Sequence, residues 1–470
     1  MILTGVLLPG ARLPSTRTVA DQCHVARNTV IAAYDTLQSE GYLTAERGGG
    51  TRVGSQLPEH CLHTDAPASA SEAPRARRPK LEPRRHLPEL AVPEMDDRAA
   101  LIDLVPGKSN PAHFPARLVR QAGDEALKGA THHLTNYQDL QGFPPLRAEI
   151  AAFLATNRGL RTSPSQIIMT AGIQEALNLV AHLFAGPELT VALENPCYQS
   201  PLYIFRTYGA RIAPIDVDEE GIQVEKLKET DAKLAYLTPS HQFPMGVTLS
   251  QARRGAALAW AEETGAFLIE DDYDSDFRYE TAPLPSLAGT DTGGNVIYLG
   301  TVSKSLGPGF RVGYIVSPPS LVDAFGRLKA LTSLGGNALE QRIVANLFAS
   351  GAYQRHLRHL RQSYKAARDL LIAEIERHFG PQHLLGRDCG MHLVWPLPDD
   401  FPEAEAVAEA ARQKGTRIHT LASAGAVDFG SAYAGRALIF GYSSVSDKHI
   451  VTGISAVAEA ISDLMARKKM

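Results

Sequence analysis

From about residue 101 to residue 316, short apolar β-rich runs alternate with amphipathic helical stretches, and this alternation restricts the fold more than any other feature. The runs are QIIMT (166–170), LTVALE (189–194), LAYLT (234–238), AFLIE (266–270), NVIYLG (295–300) and RVGYIV (311–316). Strands this apolar face protein on both sides, and stretches such as QEALNLVAHLF (174–184) supply covering helices. The pattern predicts an α/β fold around a mostly parallel sheet. Beyond about residue 350, a long helical stretch (YQRHLRHLRQSYKAARDLLIAEIERHF), the runs MHLVW and ALIFGY, and a helix beginning near Asp447 predict a smaller α+β lobe.

Residues 1 to about 57 are patterned differently. Thr18 to Val25 reads as a short helix, Arg27 to Glu40 as a second, and Tyr42 to Val53 as a hairpin tipped by Gly48-Gly49-Gly50. Helix, turn, helix and glycine-tipped wing is a DNA-reading arrangement. Arg27, Asn28 and Thr29 open the second helix, where side chains and free N–H groups can meet a phosphate or a base edge. With Arg17 at the start of the first helix and Gly50 in the wing, they are the candidate DNA contacts. Arg27-Asn28-Thr29 equally suits a capped, solvated helix start. The formal charge of −4, from 47 basic and 51 acidic residues, excludes a surface that coats nucleic acid throughout but allows one local binding element. Residues 58–100, rich in Pro, Ala, Ser and Arg, read as a linker. Its basic run from Pro74 to Lys80, followed by Arg84 and Arg85, serves either solubility or contact with phosphate.

Two strand ends carry chemistry. Ile269-Glu270-Asp271-Asp272-Tyr273 places acidic and phenolic groups at the carboxyl edge of the expected sheet, the usual ligand position. Thr301-Val302-Ser303-Lys304-Ser305 follows the next strand, and Gly309-Phe310-Arg311-Val312-Gly313 comes shortly after. Most lysines are simply solvated surface groups. One set among serines directly after a buried strand, with an arginine close behind, suits a ligand bearing both an aldehyde and a phosphate. Pyridoxal 5'-phosphate is such a ligand, and its ring nitrogen needs a carboxylate, for which Asp271 is placed. Tyr273 can hydrogen-bond the ring hydroxyl, and Gly172, opening a helix after a strand, offers N–H groups to the phosphate. Four cysteines, Cys23, Cys61, Cys197 and Cys389, show neither paired nor zinc-ligand spacing and read as reduced thiols, so no metal is expected. No run of about 18 apolar residues and no secretory leader pattern occurs, which predicts a cytoplasmic protein.

These strings resemble known families. Pro9-Gly10…Pro14-Ser-Thr-Arg17, Val25-Ala-Arg27-Asn28-Thr29-Val30, Glu40-Gly41-Tyr42-Leu43 and Gly50-Thr51 resemble the winged helix-turn-helix of GntR-type repressors. In that family a long helix precedes the equivalent of Ile2, and this chain begins at its last turn. The resemblance thus implies an N-terminally truncated module: either its true start lies upstream, as we expect, or it lacks the helix that would bury its apolar faces.

From about 101 to 470 the chain resembles fold-type I aminotransferases. The matching strings are Tyr137-Gln-Asp-Leu-Gln-Gly142, Glu194-Asn-Pro196-Cys-Tyr198, Thr238-Pro239-Ser240-His241-Gln242-Phe243-Pro244-Met245-Gly246, the aspartate and lysine motifs, and Arg436 ahead of LIFGY. The resemblance implies that Lys304 bonds the cofactor aldehyde, Asp271 pairs with the ring nitrogen, Tyr273 binds the ring oxygen and Tyr198 stacks on the ring. Gly172, Ile173, Gln174, Ser303 and Arg311 would hold the phosphate, joined by Tyr137 from the other subunit of a homodimer. Arg436 would clamp an effector carboxylate, unless it merely forms a surface ion pair. Phe243 stands where aminotransferases commonly place an asparagine, and Ile173 lacks a common hydroxyl, which puts efficient transamination in doubt.

The combined architecture resembles the MocR/GabR regulators: a winged helix (1–57), a linker (58–100) and an aminotransferase-like domain (101–470). It implies a pyridoxal-phosphate-dependent transcriptional regulator that senses an amino-acid or amine effector through an external aldimine. A working aminotransferase with a degraded DNA module, and a plain repressor whose large domain only dimerises, are the alternatives.

Overall fold

The structure, a computed structural model, describes residues 1–3, 6–46, 50–57, 102–128, 134–137, 139–280 and 284–468. The expected linker with its basic run, Gly48, Gly49 and Cys61 all lie outside the described residues. The chain divides into two compact units, Met1–Arg84 and Arg85–Met470.

In the first unit, helices Thr16–Cys23 and Arg27–Ser39 precede an antiparallel pair of strands, Leu43–Glu46 and Gly50–Val53, with Leu43 opposite Val53. The first helix begins two residues before the expected Thr18 because Ser15 caps it, its hydroxyl accepting the Thr18 N–H at 3.1 Å. It ends at His24, in the left-handed region. Leu43, Val53 and Leu57 form the small core, with Ile2, Leu7, Leu13, Tyr34 and Leu37 packed against it. The Tyr34 hydroxyl donates to the Pro14 carbonyl at 3.0 Å and ties the second helix to the segment before the first.

The second unit is built on an eight-stranded sheet. From edge to edge its strands are Ile167–Thr170, Gly313–Val316, Val296–Thr301, Phe267–Asp272, Leu234–Leu237, Thr190–Asn195, Arg211–Asp218 and Gly221–Ile222. The sheet is mostly parallel, as expected, with two exceptions. Gly221–Ile222 folds back on its neighbour, and Gly313–Val316 runs antiparallel to both strands beside it. Arg211–Asp218 is a strand that apolar runs did not announce, because RIAPIDVD interleaves polar residues and a proline near the sheet edge.

The reversed strand positions the site. Its amino end lies where the parallel strands have their carboxyl ends. Gly313 pairs with both Thr170 and Thr301, and Asp272 with Gly300, so the residues that follow the three parallel strands and those that precede Gly313 share one edge. A Cβ on Gly313 would lie 2.7 Å from the Gly172 Cα, so only glycine lets this strand lie against the turn after Thr170.

The smaller lobe packs helices Ala352–Phe379, Ala404–Gln413 and Asp447–Lys468 around the antiparallel strands His392–Pro396 and Ala437–Gly441. Trp395, Leu371, Phe440 and Val457 are fully buried there, each worth about 1.5–3 kcal/mol of apolar burial. Asp447–Lys468 has the length and apolarity to cross a membrane. Its Ile450, Ile454, Val457 and Ile461 are instead buried in this lobe's core.

Glu194, at the carboxyl end of Thr190–Asn195, is buried. Its carboxylate accepts from the Thr238 hydroxyl at 2.6 Å and the Thr238 N–H at 3.2 Å. Burial outweighs these bonds and pushes it up to about 7. The folded chain thus keeps a proton that the unfolded chain releases near 4.5, so stability present at low pH is lost as pH rises through about 7. Glu194→Gln cannot ionise. The difference in melting temperature between variant and wild type is expected to move in the variant's favour from pH 5 to pH 8. A difference independent of pH would mean that Glu194 is ionised throughout.

Candidate functional site

Asp271 and Lys304 reach the shared edge from adjacent strands. Asp271 is the penultimate residue of Phe267–Asp272, and Lys304 lies in the short helix Ser303–Leu306 directly after Val296–Thr301. The Lys304 Nζ donates to the Gly107 carbonyl at 2.8 Å. Burial lowers its pKa, against the opposing pull of Asp274 and Asp271, and so favours the neutral, nucleophilic amine. Asp271 Oδ2 accepts from the Tyr236 hydroxyl at 2.6 Å, while Oδ1 is buried with no hydrogen-bond partner among the described residues. Burial pushes this carboxyl up to about 7. An unsatisfied buried acceptor costs about 1–3 kcal/mol, and a protonated ring nitrogen is a donor that would satisfy it.

The turn after Thr170 forms an anion cradle. Gly172 has φ 86° and caps helix Ile173–Phe184, whose first-turn N–H groups, those of Ile173 and Gln174 among them, have no helical carbonyl to bind. Arg311 adopts the left-handed conformation and its guanidinium donates to the Ala171 carbonyl. A Cβ on Gly172 would lie 3.4 Å from that guanidinium. The Ser303 hydroxyl lies 2.9 Å from that of Thr301, on the neighbouring strand end. Glu175 holds the turn: it accepts the Ala171 N–H at 2.5 Å and is paired with Lys329 at 2.6 Å.

Aromatic groups wall the same edge. The Phe243 ring meets Tyr198 edge-on at 5.6 Å, Tyr273 at 6.4 Å and His392 at 5.7 Å between centroids. Behind Tyr273, His241 Nδ1 lies 2.7 Å from Asp274 Oδ2 and 3.1 Å from the Tyr273 hydroxyl. Tyr236, Glu175, His241, Asp274 and His392 were not among the expected site residues. Tyr236 was findable, because a tyrosine within a fully buried strand needs a partner for its hydroxyl. His241 and Asp274, 33 residues apart, meet only on folding.

Two expected residues stand apart. Tyr137 is 85% exposed on the surface of the unit. Arg436 is a correction: it does not face the site. Its guanidinium donates to the carbonyls of Leu397 and Phe401 at 3.2 Å, of Pro402 at 3.4 Å, and of Pro398, which occupies it in tying the 397–402 loop. It precedes the Ala437 end of Ala437–Gly441, whereas Gly441 packs on Val105 and Pro106 beside the Lys304 partner Gly107. Five residues of extended chain, roughly 16 Å, separate the two ends.

In the first unit, Arg17, Arg27, Asn28 and Thr29 are all exposed. Ala26 gives the second helix no side-chain cap, so its first-turn N–H groups are not engaged by a capping side chain. Gly50 has φ 85°, and a Cβ there would lie 3.1 Å from the Arg12 guanidinium.

Comparison with known proteins describes the same two parts. The family "Bacterial regulatory proteins, gntR family" matches residues 1–53, and "Aminotransferase class I and II" matches residues 107–422. The probable rhizopine catabolism regulatory protein MocR of Rhizobium meliloti is 32% identical over 98% of this chain and 91% of its own. The HTH-type pyridoxine biosynthesis transcriptional regulator PdxR of Corynebacterium glutamicum is 31% identical over 98% of this chain and 94% of its own. A kynurenine aminotransferase of Pyrococcus horikoshii, solved in complex with PMP, superposes with a TM-score of 0.71 at 28% identity, covering 78% of this chain and 92% of that one. With a gntR-family DNA-binding part and an aminotransferase part that takes pyridoxal 5'-phosphate, the chain belongs to the MocR/GabR subfamily of GntR-type transcriptional regulators.

Proposed function

We propose that residues 101–470 sense an amino-acid or amine effector through a cofactor held at Lys304, and that residues 1–57, joined by the linker 58–100, carry the response to promoter DNA in the cytoplasm. One observation carries this reading: a desolvated lysine amine and a buried carboxylate oxygen, with no partner among the described residues, stand at one sheet edge, beside an anion cradle. Pyridoxal phosphate supplies an aldehyde that bonds amines and a protonated ring that draws electrons.

Lys304 presents its neutral amine to the aldehyde, Asp271 holds the proton on the ring nitrogen, Tyr273 faces the ring oxygen and Tyr198 covers the ring. The backbone at Gly172, Ile173 and Gln174, with Ser303 and Arg311, binds the phosphate. In a homodimer, Tyr137 of the partner subunit joins them. An effector amine competes with Lys304, whose Nζ then keeps the Gly107 carbonyl to bind. Better fit of the effector to one arrangement of the protein shifts the population toward it and so changes the grip on DNA.

Lys304→Ala is expected to remove the near-visible absorbance band of the purified protein and its borohydride-fixed adduct. At fixed salt, the effector should shift the promoter Kd of the wild type by about 5- to 150-fold and leave that of the variant unmoved. An equal shift in both would end the sensor reading. For the DNA contacts, Arg17→Ala is expected to weaken binding to all sequences alike and to lower the salt slope of log K by about one. Arg27→Ala should additionally relax discrimination between promoter and control DNA. Unchanged slopes would take these side chains off the DNA.

A further inference from the structure

The cofactor reading leaves the buried pair His241 and Asp274 without a task. The His241 ring is enclosed on three sides by glycines. A Cβ on Gly390 would lie 1.9 Å from its Cε1, and Cβ atoms on Gly246 and Gly386 would lie 3.2 and 3.5 Å from its Nε2. That Nε2 is buried with no hydrogen-bond partner among the described residues. A carboxylate oxygen accepts, so the 2.7 Å contact with Asp274 Oδ2 assigns Nδ1 as its donor. A bare Nε2 lone pair is also less costly to bury than an unpaired N–H or an unsatisfied charge. His392 cannot relieve it. Its own Nε2 donates to the Pro244 carbonyl at 2.9 Å, and burial followed by the nearness of His241 keeps it neutral.

The consequence falls on Tyr273. The His241 Nδ1–H points at Asp274 and is shared with the phenol oxygen at 3.1 Å. Tyr273 therefore accepts from His241 and cannot donate to it. Burial, and then Asp274, Cys389, Asp271 and Glu194, hold the phenol protonated. Phe243, edge-on to Tyr273, offers no hydrogen-bond donor from its side of the site. We propose that the His241–Asp274 pair is a positioning device that engages the Tyr273 oxygen as an acceptor and thereby commits the Tyr273 proton to the ring oxygen of the cofactor. The inference rests on the cofactor reading above.

The test uses full-length protein loaded with pyridoxal phosphate, with absorbance followed against pH to find where the lysine-linked cofactor changes form. A hydrogen bond donated to the ring oxygen stabilises the basic form, in which that oxygen holds uncompensated negative charge, so losing the bond moves the midpoint upward. Tyr273→Phe and His241→Leu are each expected to raise it by about one pH unit, a tenfold change in proton affinity. The double variant should shift no further than Tyr273→Phe alone. His241→Asn, whose amide N–H reaches the place of Nδ1, should bring the midpoint back toward wild type. A His241→Leu midpoint equal to wild type, or additive shifts in the double variant, would overturn the proposal.

Should His241→Leu fail to fold, a crystal structure of the loaded wild type decides. The Tyr273 oxygen must lie within hydrogen-bond distance of both His241 Nδ1 and the ring oxygen, and a Tyr273 hydroxyl turned onto Asp274 refutes the assignment. A wild type without the band sinks the cofactor reading and this inference together. A band whose midpoint ignores His241 sinks this inference alone.

Discussion

The strand Gly313–Val316 pairs antiparallel with Val296–Thr301 on one side and Ile167–Thr170 on the other, and this reversal brings Arg311 to the edge where Asp271 and Lys304 end their strands. Had the strand run parallel, its amino end, and the arginine with it, would lie at the opposite edge. The close approach of Gly313 to Gly172 makes the arrangement possible, since no side chain fits between the two backbones. One pairing choice and one missing Cβ thus set the distance between the anion cradle and the lysine.

Desolvation gives that edge its chemistry. The same burial that favours a neutral Lys304 pushes the Asp271 carboxyl upward, and it leaves one Asp271 oxygen unsatisfied. Such shifts destabilise the chain by itself and are tolerated where a ligand completes the hydrogen bonding. Glu194, a step further back, is also buried and raised, but its oxygens are already occupied by Thr238 and Gln242. The contrast separates a carboxylate waiting for a donor from one that has its donors.

Much of the large sheet was legible because its strands are fully buried and read as unbroken apolar runs. The strand next to the edge, Arg211–Asp218, was not, since Gly221–Ile222 covers only its last two residues and the uncovered stretch tolerates Pro214 and polar alternation. Asp271, Lys304, Gly172 and Arg311 were legible because each sits within a few residues of a strand end. Arg436 misled for the converse reason. Its place before a strand was read correctly, but which end of that strand meets the site depends on how the small lobe folds over Val105 and Gly107.

Local order along the chain sufficed for the α/β class, the helix-turn-helix pattern and the aldehyde-and-phosphate chemistry, because periodicity and strand-end motifs act over a handful of residues. Only the tertiary structure assigned Arg436 to a loop, oriented Tyr236 onto Asp271, and joined His241 to Asp274 and Tyr273. Those are contacts between residues far apart in the chain, and their existence depends on strand order, strand direction and close backbone approach rather than on any neighbour in sequence.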